Sequence, residues 1–146
     1  MEVTVGSSKW SVPATASALG ASLGWLNNSN PAVEIDGAGL SNAAPQLTSP
    51  TLPTGFTLDA SFNLTAPVSP SVLPWTGKAT PANGTFTGSF TLPTGFVTNG
   101  IAGPAAASGV LLQADAWGTV TGCGLIKVPV AGANGSFRTA AILLNQ

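Results

Sequence analysis

The sequence predicts an all-β fold, an antiparallel two-sheet β-sandwich, with a β-barrel or jelly-roll as the alternative closure of the same strands. Three observations carry this. Period-two runs recur along the chain, the longest from Phe56 to Leu64, where Phe56, Leu58, Ala60, Phe62 and Leu64 share one face and Thr57, Asp59, Ser61 and Asn63 the other. Hairpin-type pairs punctuate the chain at Asp36-Gly37, Asn83-Gly84 and Asn134-Gly135. Eighteen Gly and 12 Pro, with no long helical periodicity, suit many short strands joined by turns. The 146 residues are read as a single domain, 1–146, of a size that buries roughly two-thirds of its unfolded surface without staples.

In chain order, Glu2, Val3, Thr4 and Val5 alternate as a short strand, and Lys9 to Val12 forms a second, ended by Pro13. Residues 14–24, ATASALGASLG, are small and apolar; the residues leave a helical turn or two, a loop and a strand all open. Asn27 to Pro31 signals a turn, and Ala32 to Ile35 alternates into Asp36-Gly37. Three prolines between Ser41 and Pro53 predict an extended surface connection. After the run ending at Leu64, four prolines predict an irregular loop over 66–82 that carries Trp75. Beyond Asn83-Gly84, Phe86, Gly88, Phe90 and Leu92 oppose Thr85, Thr87, Ser89 and Thr91 as a half-buried strand. Its end, TLPTGF at 91–96, repeats the same six residues at 51–56. A Gly/Ala-rich link then leads to Gly109–Asp115, whose apolar run predicts a strand covered on both faces. Trp117 to Val120 and Cys123 to Val130 read as a hairpin pair, and Ser136 to Leu144 as the closing strand, making eight or nine strands.

Charge is the unusual quantity. Charged residues make up 6% of the chain, with net charge −1, where about 25% is ordinary for a soluble domain. A chain that is also 44% hydrophobic is not a disordered one, and little charge keeps its copies apart. There is no basic patch, so nucleic-acid binding is not expected. No apolar run approaches the ~18 residues of a membrane helix, so membrane insertion is not expected either. The N-terminus has neither a basic nor an apolar leader region, so Met1 is read as the start of a mature form or of a domain cut from something longer. Cys123 stands alone, which leaves a small buried hydrophobe or an intermolecular bridge.

The C-terminal half carries Gly84-Thr-Phe-Thr-Gly-Ser-Phe90, then Gly109-Val-Leu-Leu-Gln113, then Gly122-Cys-Gly-Leu-Ile-Lys-Val-Pro-Val130 and a last strand near the terminus. This pattern over residues 83–146 resembles the terminal β-module of large exported bacterial repeat and surface proteins. The resemblance implies a surface location and brings no catalytic residues with it. Cys123 stands where that pattern more often has an aromatic, and residues 1–82 have no counterpart in it.

Chemistry is sparse. The absence of His removes the usual general base, the Ser and Cys triads and most zinc or copper sites. No Ser-x-x-Lys occurs, since Gly6, Trp75 and Gly124 stand three residues before Lys9, Lys78 and Lys127. Glu34 and Asp36, with Asp59 or Asp115, are the candidates for a carboxylate pair or a calcium site; a turn role for Asp36 and a solvent-face role for Asp59 are the simpler readings. Trp10, Trp25, Trp75 and Trp117 offer indole faces for sugar stacking, and Trp75, placed in a loop, is the candidate platform, the others reading as core. Leu52-Pro53-Thr54-Gly55 lacks the spacer of a sortase signal and is internal. Asn27, Asn63, Asn83 and Asn134 sit in glycosylation frames that matter only in a glycosylating host. A Lys–Asn isopeptide bond between strands is a further option.

The expectation is a non-enzymatic, extracellular or cell-surface structural or assembly protein, without cofactor or metal. Its partner is itself, as homo-oligomer or filament, through β-strand edges that lack blocking charge. Glu2, Val3, Thr4 and Val5 are the candidate donor strand, because a terminal strand leaves its sheet at little topological cost. The alternatives are a carbohydrate-binding module that holds a polysaccharide on Trp75, and a viral or phage coat or decoration protein.

Overall fold

The computed structural model describes residues 9–25, 31–37, 55–66, 75–91, 104–113, 120–129 and 136–146. They comprise one helix, α1 (Ala16–Ser22), and eight strands: β1 (Ala32–Gly37), β2 (Thr57–Leu58), β3 (Asn63–Thr65), β4 (Trp75–Thr80), β5 (Thr85–Phe90), β6 (Ala105–Leu111), β7 (Val120–Pro129) and β8 (Phe137–Asn145). All pairings are antiparallel, in the order β1-β8-β7-β6-β5-β4-β3-β2. The all-β expectation holds. The described strands form a single sheet curled into a half-barrel, however, rather than two facing sheets. β2 to β8 run as a meander, and β1 returns to lie beside β8.

The curl follows from what lines its inner face. One inward row runs Leu64, Gly77, Gly88, Ala107, Ile126, Ala140 across β3 to β8, and the next runs Ala79, Phe86, Gly109, Gly124, Ile142, Ile35 across β4 to β1. Large and small residues sit side by side, so rings lie flat over neighbours that have no side chain to lift them. The Trp75 indole lies over Gly88, where an added Cβ would collide with it, and its ring centroid is 4.6 Å from that of Phe90. Phe86 and Phe90 are fully buried beside it.

Helix α1 closes the core from the concave side. Thr15 caps it by accepting the Ala18 N–H on Oγ1 at 3.1 Å, and Leu19 and Leu23 are buried to 0% exposure. Gly24, at φ +73°, turns the chain so that Trp25 enters the interior. This short helix resolves the stretch that the residues left open. Upstream, Lys9 to Val12 is not a strand: Trp10 donates Nε1–H to the Pro81 carbonyl at 2.7 Å, and the Gln113 side chain bonds both the N–H and the C=O of Ser11.

Four further strand expectations are corrected. Phe56 to Leu64 is a hairpin and not one strand. Asp59 Oδ1 accepts the N–H groups of Ser61 and Asn63 at 2.8 and 2.9 Å, and Phe62 takes a left-handed φ of +64°. Local side-chain bonding of this kind outcompetes the extended ladder that the alternation suggests. The loop expected over 66–82 contains β4, because Trp75, Gly77 and Ala79 supply an inward face that proline spacing hid. Val120 and Cys123 belong to the one strand β7, whose register shift between Val120 and Gly122 turns Thr121 inward. β6 begins at Ala105, inside the supposed link, and its outer residues Ala106, Ser108 and Val110 are exposed, so it is covered on one face only. The Asn83-Gly84 hairpin is present as a four-residue turn, Pro81 to Gly84, in which Gly84 alone of the pair has positive φ. Glu2 to Val5, the 41–53 connection, Asp115, Trp117 and Asn134-Gly135 lie outside the described residues.

The fit of Trp75 over Gly88 makes a direct prediction. Gly88→Ala should lower unfolding free energy by about 1–3 kcal/mol, measured by urea denaturation. Trp75→Leu in the same chain should recover part of that loss, because the clash and the large ring are one interaction.

Candidate functional site

Among the described residues a cleft of about 460 Å³ lies between α1 and the start of β2. Three separate stretches build it. Ala16, Ser17 and Gly20 come from α1, Trp25 from just after it, Pro31 from just before β1, and Gly55, Phe56, Thr57, Leu58 and Ala60 from β2 and its flanks. Its inner wall is an aromatic pair, Trp25 against Phe56 edge to face at 5.0 Å. Trp25 donates Nε1–H to Thr121 Oγ1 at 2.9 Å, and Thr121 in turn donates to the Leu144 carbonyl at 3.1 Å. The wall is therefore fixed to β7 and β8 on the far side of the curl. At the cleft's edge the Gly55 N–H donates to the Pro31 carbonyl at 2.9 Å, which brings the chain just before β2 against the chain just before β1.

Among the described residues no charged side chain lines this cleft, and its side-chain polar groups are the hydroxyls of Ser17 and Thr57 and the Trp25 Nε1–H already given to Thr121. These described groups do not take or give a proton near neutral pH and do not form a set of ligands for a cation. Elsewhere among the described residues, no cluster of three or more His, Cys, Asp or Glu side chains exists.

Those candidate residues named from the sequence that are described are not brought together. Trp75 is not in a loop but at the start of β4, 2% exposed, under Phe90 and over Gly88. An indole so enclosed presents no face to a sugar ring, and its Nε1–H is buried with no acceptor among the described residues. Of the other indoles, Trp25 is 7% exposed and Trp10 is half-buried against Gly84. Glu34 is exposed on β1. Asp59 is committed to its own turn, accepting from Ser61 and Asn63 backbone groups and from Asn63 Nδ2 at 2.8 Å. Cys123 is a half-buried free thiol on the outer face, opposite Val110 and Leu143. The sequence reading missed the cleft because its lining comes from three segments, and no local pattern marks Gly20, Trp25 and Phe56 as neighbours.

No family model, no curated protein and no solved structure matches this chain.

The Asp59 carboxyl is held below its ordinary value, chiefly by the side-chain and backbone hydrogen bonds from Asn63. The folded chain thus prefers the carboxylate, so its contribution is present above the unfolded value of about 3.9 and is lost as pH falls through the lower folded value. Melting temperatures measured from pH 7 downward should show wild type losing stability below about pH 4 more steeply than Asp59→Asn, whose neutral amide oxygen keeps the turn without titrating. Parallel curves would contradict this assignment.

Proposed function

We propose that this protein is a non-enzymatic structural or assembly module, exported to the cell exterior or surface, that associates with copies of itself by pairing the edges of its sheet. The observation that carries the reading is the open sheet. Among the described residues β1 pairs only with β8 and β2 only with β3, and the reading takes these two outer strands as the edges that another strand would join. The edges differ in protection: β1 presents Glu34, whereas β2 has no charged residue. Net charge of −1 supplies negligible repulsion between copies. Val110, Leu125 and Phe137 on the outer face are 46–58% exposed and add apolar surface for close approach. Five or six backbone hydrogen bonds at about 1 kcal/mol net each, with some apolar burial, reach micromolar association.

Export is supported by the uncharged Thr/Ser/Gly-rich composition and by the resemblance of residues 83–146 to terminal modules of exported bacterial proteins. The polysaccharide-binding alternative loses its platform with Trp75 buried. A coat or decoration role would be the same edge pairing carried out on a particle.

Light scattering coupled to size exclusion, across a hundredfold range of concentration, tests the proposal. Mean mass should rise with concentration, and deletion of residues 1–6 or Thr4→Lys should shift the rise to higher concentration by tenfold or more. A chain that stays monomeric throughout, with or without those changes, would overturn it.

A further inference from the structure

The outward residues of β7, β8 and β1 form a pattern that is complementary to itself. Alternation along β7 turns Cys123, Leu125 and Lys127 to the outer face, and the register sets Leu143, Ala141 and Thr139 of β8 beside them. Glu34 of β1 follows Leu143 in the row of Cys123. Glu34, Leu125, Lys127, Thr139 and Ala141 are exposed, Leu125 to 56%, while Cys123 and Leu143 are half-buried. Glu34 and Lys127 stand two strand spacings apart across the sheet and four residues apart along it, roughly 16 Å, so the two charges do not meet within one chain. Ala141 lies at the midpoint of the line between them. Its large apolar neighbours on this face are Leu125, directly across the ladder, and Leu143, two residues along β8.

We infer that this face binds a second copy of the chain about a twofold axis lying in the contact plane at Ala141, at right angles to the line from Glu34 to Lys127. An axis so placed exchanges the two ends of that line, which sets Glu34 of each copy against the partner's Lys127 and closes two equivalent ion pairs. The same operation carries Leu125 of each copy onto the partner's Leu143, to within one strand spacing. Ala141 meets its own mate at the centre, where a methyl group lets the sheets approach. A foreign partner would have to supply this arrangement independently; a second copy supplies it by symmetry. The outer face of the curl is convex, so the contact is confined to β8 and its two neighbours, and the strands of the two copies cross steeply, as in orthogonally packed sheets. The leucines supply the apolar centre, and the ion pairs, exposed at its rim, set orientation more than affinity. Neither sheet edge takes part, so this contact extends the assembly reading and stands or falls separately from edge pairing.

The test is sedimentation velocity on the full chain at low ionic strength, comparing wild type, Glu34→Lys, Lys127→Glu and an equimolar mixture of the two variants. In either variant alone both ion pairs become like-charge contacts, and self-association should weaken by about tenfold or more. The mixture restores two opposite-charge pairs in a mixed dimer, so its association should return toward that of wild type. Both positions are exposed, and circular dichroism should be unchanged. Carbodiimide coupling of wild type, mixed from unlabelled and 15N-labelled chains, gives a readout that needs no variant: Lys127 should be joined to Glu34 in peptides of mixed isotope. Variants that associate as wild type does, a mixture no tighter than its components, or an associating sample without mixed-isotope Lys127–Glu34 peptides would each overturn the face contact while leaving edge pairing standing. A wild type that is monomeric at every concentration would overturn both.

Discussion

The hydrogen bond from the Trp25 indole to Thr121 is the constraint on which the rest of this fold depends. An eight-stranded sheet with one small helix does not have to curl around that helix, and a flat arrangement would leave its inner face wet. Trp25 prevents this by spanning the hollow, its edge against Phe56 beside β2 and its N–H on Thr121 in β7. Thr121 is available only because the bulge in β7 inverts it, and its own proton is directed to the Leu144 carbonyl. Both partners are buried, so neither has water as an alternative, and removing one leaves the other unsatisfied. With the indole held, Leu19 and Leu23 are buried in one core with Ile142 and Leu144, and the starts of β1 and β2 are drawn into contact at Pro31 and Gly55.

The remaining stability comes from shape. Gly77, Gly88, Gly109 and Gly124 lie in the inward rows where rings or opposing backbone need their space. Such a core tolerates little enlargement. The outer face has no comparable demand and is covered with Thr, Ser and Ala, interrupted by Val110, Leu125 and Phe137. Very few charges are spread over that surface, and under the proposed reading the edges rather than electrostatic patches govern how the molecule meets another.

Much of the strand content was legible because inward and outward residues alternate visibly in β1, β5 and β8. The sheet count was not, since facing sheets and a single curled one need the same alternation. β4 was hidden by flanking prolines and by Gly77, which is silent in a hydrophobic pattern but essential beneath an indole. The β2–β3 hairpin was hidden by an alternation that runs straight through its turn; only Asp59, with Asn63 four residues on, betrays the Asx-type bonding that bends it. Trp75 illustrates the same limit at the site. A tryptophan between Pro74 and Thr76-Gly77 has the local look of a loop platform, and what buries it is Gly88, eleven positions downstream, which pairs with Gly77 across the hairpin. The cleft was illegible for that reason in stronger form, because Gly20, Trp25 and Phe56 meet only after the curl has formed.

The central proposal is that the curl closes the core while the sheet's outer strands, β2 among them, take up another chain's strand. Hydrogen–deuterium exchange of the intact protein, compared between dilute and concentrated solution, addresses it most directly. The account predicts that the peptide containing Thr57 and Leu58 gains protection on concentration while the centrally paired β6 and β7 do not change. Equal protection of the β2 segment at both concentrations, in a sample whose mass has risen, would contradict it.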